Sequence, residues 1–443
     1  MSKNKNKSGH TTTIHHSFTG HRLTQYSGLS PIHKYYLKTE VGKKLLKLFP
    51  TIVYNASQFS DAQLIQLFIY ASLCKVNRLS QIETFSTDPL VKNVLGLERK
   101  VSDSSLSARF STFGEHGARK LEEFGLRENR QFLENQDLEC ITIDMDSTVS
   151  ITYGNQEGAA KGYNPQKKGA NSYHPLLAFV TDYKLLMHTW FRPGSAYTSN
   201  GSEEFVKQII ASMPKKIKKI FFRMDSGFFD NQLLYEIEQA SHEYLVKVKF
   251  KGMYKLFELL SQWEKVKNHP EMSVCEFTHP FTVIDQEGQR IRIERPLKVL
   301  RTQTKNLKGS MGEDIVAYEY VCYCSNKENQ DALQLHQLYK PRAESENWIE
   351  QVKNQLLAGK TIIDDFWAND IFWQLSSLAY NLSVRMRIKV KKYWRQEYNT
   401  FRDWFVKVPG MIVESGRRIY LKIYSHYYFR DDWEKFDLTI NSV

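Results

Sequence analysis

The chain has 443 residues, enough to bury a large core and to form two or three domains. Sixty-one Lys and Arg against 49 Asp and Glu leave a net charge of +12, which suits a polyanionic partner, because each cation set on a phosphate releases a condensed counterion. No run of about 18 apolar residues suggests a membrane span, and no apolar stretch follows the basic start MSKNKNKSGH to make a signal peptide. Cys74, Cys140, Cys275, Cys322 and Cys324 are odd in number, scattered and without CxxC spacing, which argues against a disulfide framework or structural zinc site and fits a reducing cytoplasm.

Residues 1 to 16 are polar and read as disordered. Residues 1–50 hold nine Lys or Arg, five His and one acid, Glu40. The pattern DAQLIQLFIYASLCKVNRLSQIE predicts a helix from Asp61 to about Glu83 with Ser60 as its N-cap. Residues 102–124 predict a helical pair broken near Gly114, either a helix-turn-helix-like DNA-binding unit or plain helical packing. In LECITIDMD (138–146), Ile141, Ile143 and Met145 take one face of a strand, and Thr142, Asp144 and Asp146 the other. Further strands are expected at 148–153, 184–191, 217–224 and 244–249, with helices at 202–213 and 230–240 between them. Three strands, helix, strand, helix, strand is the order of an RNase H-like α/β domain. Residues 252–330 read as a small β-rich insertion in which Cys322 and Cys324 alternate as packing residues. Helical pattern resumes at 341–357, with Pro341 in its first turn and Gly359 as its C-cap, and again at 370–390. Residues 385–430 carry twelve Lys or Arg against three acids.

Asp146 and Asp225 each end an apolar strand, in IDMDST and FFRMDSGF. Strand ends in an open α/β sheet gather at one edge, so the two carboxylates could share a hard divalent cation. Arg342, Glu346 and Lys353, at i, i+4 and i+11, fall on one helix face, which by spacing alone also describes a solvated face. Asp144, two residues before Asp146 on the same face, is the alternative first ligand. Lys161, Lys167 and Lys168 lie in a loop with Gly158, Gly162 and Gly169 that could approach DNA or be a plain hairpin tip. His174 is either a neighbour of the metals or a structural histidine.

Tyr339, Arg342, Glu346 and Lys353 match the Y-x2-R-x3-E-x6-K signature of a large group of bacterial insertion-sequence transposases. IDMDSTV, GAAKGYNPQKKGANSYHPLLAFV, RMDSGFFD and FWANDIFWQLSSLAYNLSVRMR likewise resemble the DDE group 1 transposase family, over residues 140–390 and more weakly beyond. The resemblance implies an α/β fold: an RNase H-like catalytic core (136–250 and 331–390) interrupted by a β-rich insertion (251–330). It adds a mainly helical, basic, DNA-binding N-terminal domain (1–135) and a basic, aromatic C-terminal region (391–443). It makes Asp146, Asp225 and Glu346 the catalytic, metal-binding triad for two Mg²⁺ ions, with Mn²⁺ able to substitute, and Tyr339, Arg342 and Lys353 contacts to the DNA backbone. Asp146 and Asp225 are 79 residues apart, and the 121 residues from Asp225 to Glu346 leave room for the insertion. Trp190 or Trp263 would be the ring to stack on an extruded base, as in relatives that form DNA hairpins. The implied protein is a bacterial, nucleoid-associated cytoplasmic transposase that acts as a homodimer in a synaptic complex of double-stranded transposon ends and target DNA. Its rivals are an RNase H-like nuclease without strand transfer and an inactive DNA-binding repressor.

Overall fold

The computed structural model describes residues 3–5, 11–49, 59–76, 78–162, 167–304, 307–308, 314–315, 317–359 and 363–442. In segment 1–16, read above as disordered, Lys3–Lys5 instead pairs with Thr11–Thr13 as two short antiparallel strands, while residues 1–2 and 6–10 lie outside the described residues, as does the tip of the lysine loop at 163–166. Strand β1 (Arg22–Thr24) leads into helices α1 (Leu29–Lys38), α2 (Glu40–Leu48), α3 (Asp61–Leu73), α4 (Leu79–Ser86), α5 (Pro89–Leu95) and α6 (Asp103–Glu134). Ser60 closes a capping box on α3, its hydroxyl accepting from Gln63 N–H and the Gln63 side chain accepting from Ser60 N–H. The single helix expected to Glu83 is interrupted, because Lys75 takes a left-handed conformation (φ 56°) after the last turn of α3. The break expected near Gly114 is present, at φ 54° and ψ −159°, inside the 32-residue α6.

The central sheet is built from β2 (Cys140–Ser147), β3 (Leu176–Val180), β4 (Leu185–Trp190), β5 (Lys219–Met224), β6 (Glu243–Lys247), β7 (Glu264–Val266), β8 (His269–Ile284), β9 (Arg290–Gln303) and β10 (Tyr318–Ser325). Its order is β7-β8-β9-β10-β6-β5-β2-β3-β4. Strands β2, β5 and β6 run parallel, while β3 and β4 add an antiparallel pair beside β2. Helices α7 (Ser202–Ser212) and α8 (Asn231–Gln239) make the crossovers. Residues 264–325 therefore extend the main sheet through the β6–β10 pairing. Between β6 and β7 lies α9 (Met253–Leu259).

Two sequence expectations change. The strand expected at 148–153 shrinks to Ser150–Ile151, which pairs with Asn171–Tyr173 in a small separate sheet. The neighbour of β2 is instead β3, whose LLAFV is buried at all five positions, so no alternation marks it. The helix expected at 341–357 is several pieces: α10 (Ala332–Tyr339), a 3₁₀ turn at Lys340–Ala343, α11 (Glu344–Glu350) and a π-helical turn at Gln351–Gln355. Asp331 starts the run with its own capping box, Pro341 sits in the 3₁₀ link, and Leu357, not Gly359, takes the left-handed turn at its end.

Helix α12 (Phe366–Lys389) threads the core against α6, α3 and β4, buried on nearly all sides. Two of its polar side chains bond to β4: Trp373 Nε1 donates to Thr189 Oγ1, and Asn381 both donates to Leu186 O and accepts from Leu186 N–H. Helix α13 (Tyr398–Phe405), hairpin β11 (Gly410–Ser415) and β12 (Arg418–Ile423), and α14 (Arg430–Asn441) finish the chain. The hairpin forms a three-stranded sheet with β1, in the order β12-β11-β1, so the two ends of the chain share one unit. Among the described residues no helix is long and apolar enough to cross a membrane.

Candidate active site

Parallel register places the two strand-end aspartates together. Met145 pairs with Met224, so Asp146 and Asp225, one residue further on, leave adjacent strands side by side. Asp146 is 9% exposed; its Oδ1 accepts from Ser147 N–H at 2.8 Å and its Oδ2 meets Arg342 Nη2 at 2.9 Å. Asp225 caps the 3₁₀ turn Ser226–Phe228, its Oδ1 accepting from Gly227 N–H at 3.0 Å. Glu346, on the first turn of α11, is exposed. Burial pushes the Asp146 carboxyl up to about 7; Arg342 opposes the rise, and Asp225 and Glu346 add to it. The three acids thus share one electrostatic environment.

Asp144 is differently placed. It is fully buried, and Arg223 grips it with two hydrogen bonds, Nε to Oδ1 at 2.6 Å and Nη2 to Oδ2 at 2.9 Å.

The remaining signature residues surround the aspartates by separate routes. Arg342 is 6% exposed, and besides Asp146 it reaches Met145 O at 3.5 Å. Tyr339 is buried, with the Lys247 ammonium 4.6 Å from its ring centre. Lys353 donates to Thr148 Oγ1 at 2.9 Å and Val149 O at 2.7 Å, tying the π turn to the segment after β2. Lys161, Lys167 and Lys168 are exposed, and Lys167 lies 5.4 Å over the Tyr153 ring.

Lys247, Arg192 and Thr198 escaped sequence reading. Burial and Arg342 lower the Lys247 ammonium, while Asp225 and Glu346 raise it, so it belongs to the same cluster. Its position at the end of β6, next to β5, was the available signal. His174 is 5% exposed and donates from Nδ1 to Ala196 O, with Asp225 close enough to raise its pKa against the effect of burial. Arg192, beyond β4, donates to the carbonyls of His174, Tyr197 and Asn200 and so shapes the 193–200 loop. That loop brings Thr198 Oγ1 within 3.1 Å of Ser147 Oγ, and its methyl to the place a Cβ on Gly227 would fill. One loop therefore braces both aspartate turns.

The two tryptophans have other engagements. Trp190 Nε1 donates to Glu122 Oε1 and Gln208 Oε1 at the wall of a cleft of about 890 Å³. Trp263 donates to Leu260 O and carries the Arg301 guanidinium 4.0 Å from its ring centre.

Carboxylate oxygens are the hard donors that Mg²⁺ takes. Among the described residues no three His, Cys, Asp or Glu side chains already converge to hold a metal ion. The donor chemistry fits a divalent cation, with Arg342 supplying part of the counter-charge at Asp146.

The family described as transposase DDE domain group 1 matches residues 6–441. No curated protein matches the chain. Among solved structures, the piggyBac transposase synaptic complex with hairpin DNA is similar at 12% identity and a TM-score of 0.45, over 94% of this chain and 88% of that one. The Mos1 transposase paired-end complex with left transposon end is similar at 11% identity and a TM-score of 0.18, over 49% of this chain and 76% of that one. The mariner Mos1 paired-end complex with Mg gives 10% identity and a TM-score of 0.16, over 49% and 77%.

Proposed function

Because the chain belongs to the transposase DDE domain group 1 family, we propose that it binds the terminal inverted repeats of an insertion sequence, cuts DNA there and joins the freed end to target DNA. The observation that carries this reading is the pairing of Asp146 and Asp225 at the ends of adjacent parallel strands, with Glu346 inside their electrostatic reach. Asp146, Asp225 and Glu346 would hold two Mg²⁺ ions, or Mn²⁺ in their place. Bound there, the ions would activate the attacking hydroxyl or water and stabilise the leaving alkoxide. The enclosing core is of RNase H-like type on this reading, with 251–330 as its insertion and 1–135 and 391–443 as DNA-binding regions.

The chain's own groups do the positioning. Ser147 N–H and Gly227 N–H orient the two aspartates, and Thr198 fixes the spacing of their turns. Arg342 and Lys247 balance charge in the cluster and stand where a scissile phosphate would add its own negative charge. The two hydrogen bonds from Arg223 support Asp144 as a structural residue and Asp146 as the ligand. The exposed lysines 161, 167 and 168 would extend the cationic surface toward the DNA backbone, with Lys353 and the buried Tyr339 as closer contacts beside the aspartates. Two ends must be processed together, which calls for a homodimer on DNA; work on a bacterial element places it at the nucleoid in the cytoplasm.

The test is a cleavage and strand-transfer assay with purified protein, duplexes carrying the element's ends, and Mg²⁺ or Mn²⁺. Asp225→Asn and Glu346→Gln should each lower end cleavage by at least about 10²-fold while leaving duplex binding in place. Cleavage without joined products would point to a nuclease, and binding without cleavage under any metal to a repressor.

A further inference from the structure

We propose that the groove between the α3–α5 helices and the C-terminal hairpin grips the sugar-phosphate backbone of duplex DNA through Lys75, Lys407 and Lys422. This rests on the transposase reading and names a contact surface away from the aspartates. The groove has a volume of about 1090 Å³ and is walled by Tyr26, Phe85 and Tyr424 as well as the three lysines.

Its charge is unbalanced in one direction. Among the described residues Asp88 is the one carboxylate lining it. Both Asp88 oxygens are occupied, Oδ1 by the Thr24 hydroxyl and the N–H groups of Leu90 and Val91, and Oδ2 by Gln25 N–H. Among the described residues neither Lys407 nor Lys422 has a carboxylate within ion-pair distance, and Lys75 reaches only the amide of Asn399, at 3.5 Å. Burial, with Arg402 and Lys75, lowers the Lys407 ammonium, and Cys74 and Asp403 act against them.

Four other cations on the same unit are matched. Arg22 pairs with Glu414, Lys392 with Asp432, Lys34 with Asp437 and Arg430 with Glu434. The acids of α14 thus pair with cations outside the groove and not with its lysines. At the hairpin tip, Gly416 (φ 53°) and Arg417 (φ 65°) form the turn, leaving Arg417 and Arg418 exposed above it. Exposed Tyr420 and Tyr424 add hydroxyl donors along β12 and just past it. Unpaired lysines with hydroxyl donors in an open groove are phosphate chemistry, and duplex DNA presents phosphates continuously.

The experiment is fluorescence anisotropy of the full-length protein on a labelled duplex over a series of KCl concentrations. Each phosphate contact contributes about −0.9 to the slope of log K against log[salt]. The Lys407→Ala/Lys422→Ala double variant should flatten that slope by about 2 and weaken binding equally on element-end and unrelated duplexes. Lys422→Glu alone should weaken binding on both, and Lys392→Ala, which removes a cation already paired with Asp432, should leave the slope unchanged. Thermal melts confirm that each variant is folded. An unchanged slope in the folded double variant, or a loss confined to the element-end sequence, overturns the proposal. Wild-type cleavage of the element-end duplex separates the two readings: cleavage with an unchanged slope in the groove variant sinks only the groove, and absent cleavage sinks the transposase reading.

Discussion

Removing the Asp144 carboxylate tests whether this residue builds the sheet or belongs to the chemistry. Its side chain is 0% exposed and that of Arg223 8% exposed, so the ion pair has almost no access to water. Arg223 Nη1 also donates to Leu338 O at 2.9 Å, linking β5 to α10, which leads into the signature helices. In Asp144→Ala the guanidinium keeps that one carbonyl and loses both charged hydrogen bonds. Stranding a buried charge costs about 3–5 kcal/mol. Urea unfolding should show this as a lower midpoint at an unchanged slope. Replacing both partners, as Asp144→Leu with Arg223→Met, removes the desolvation penalty with the charges and should recover most of the loss. The folded double variant should retain metal-dependent cleavage, because Asp146 and its hydrogen bond to Ser147 are untouched. A cost under about 1 kcal/mol, or a double variant no more stable than the single, would refute the structural role. A folded, stable double variant without cleavage would move Asp144 into the metal site.

Other expectations concern the core. Asp370, 1% exposed on α12, has its carboxyl pushed up to about 7 by burial, against an unfolded value near 3.9. Between those values the folded state binds more protons than the unfolded one, so stability falls as pH rises from about 4 to 7. The contribution approaches 1.4 kcal/mol per pH unit. Asp370→Asn keeps an oxygen for Gln374 Nε2 and should remove that part of the slope in unfolding measured across pH; an identical slope in the variant would contradict the buried-acid reading. Asn381→Leu strands the Leu186 N–H and removes the link to Asn129, and should lower stability by about 2–4 kcal/mol in urea unfolding. A loss within about 0.5 kcal/mol would mean that α12 does not rely on this bond to hold β4.

The two strand-end aspartates were legible because of a local rule with a long-range consequence. An apolar strand that runs into Asp ends at the sheet edge, and two such strands in parallel register must bring their ends together, as Met145 and Met224 do. Caps and kinks were equally local: Ser60 and Gly114. Strand β3 was not legible, because LLAFV is buried on both faces and a continuous apolar run has no period to read. Thr198 and Arg192 were invisible for another reason, since only tertiary placement brings their segment to the aspartates. The signature helix shows where spacing alone misleads. A straight helix puts Arg342, Glu346 and Lys353 on one face. The 3₁₀ turn at Lys340–Ala343 and the π turn at Gln351–Gln355 rotate them apart. Arg342 turns inward to Asp146, Glu346 stays exposed, and Lys353 ties down the segment after β2. Their fixed spacing thus encodes three different jobs around one buried carboxylate. A substitution that straightened the helix would preserve every signature residue and still dismantle the charge balance around Asp146.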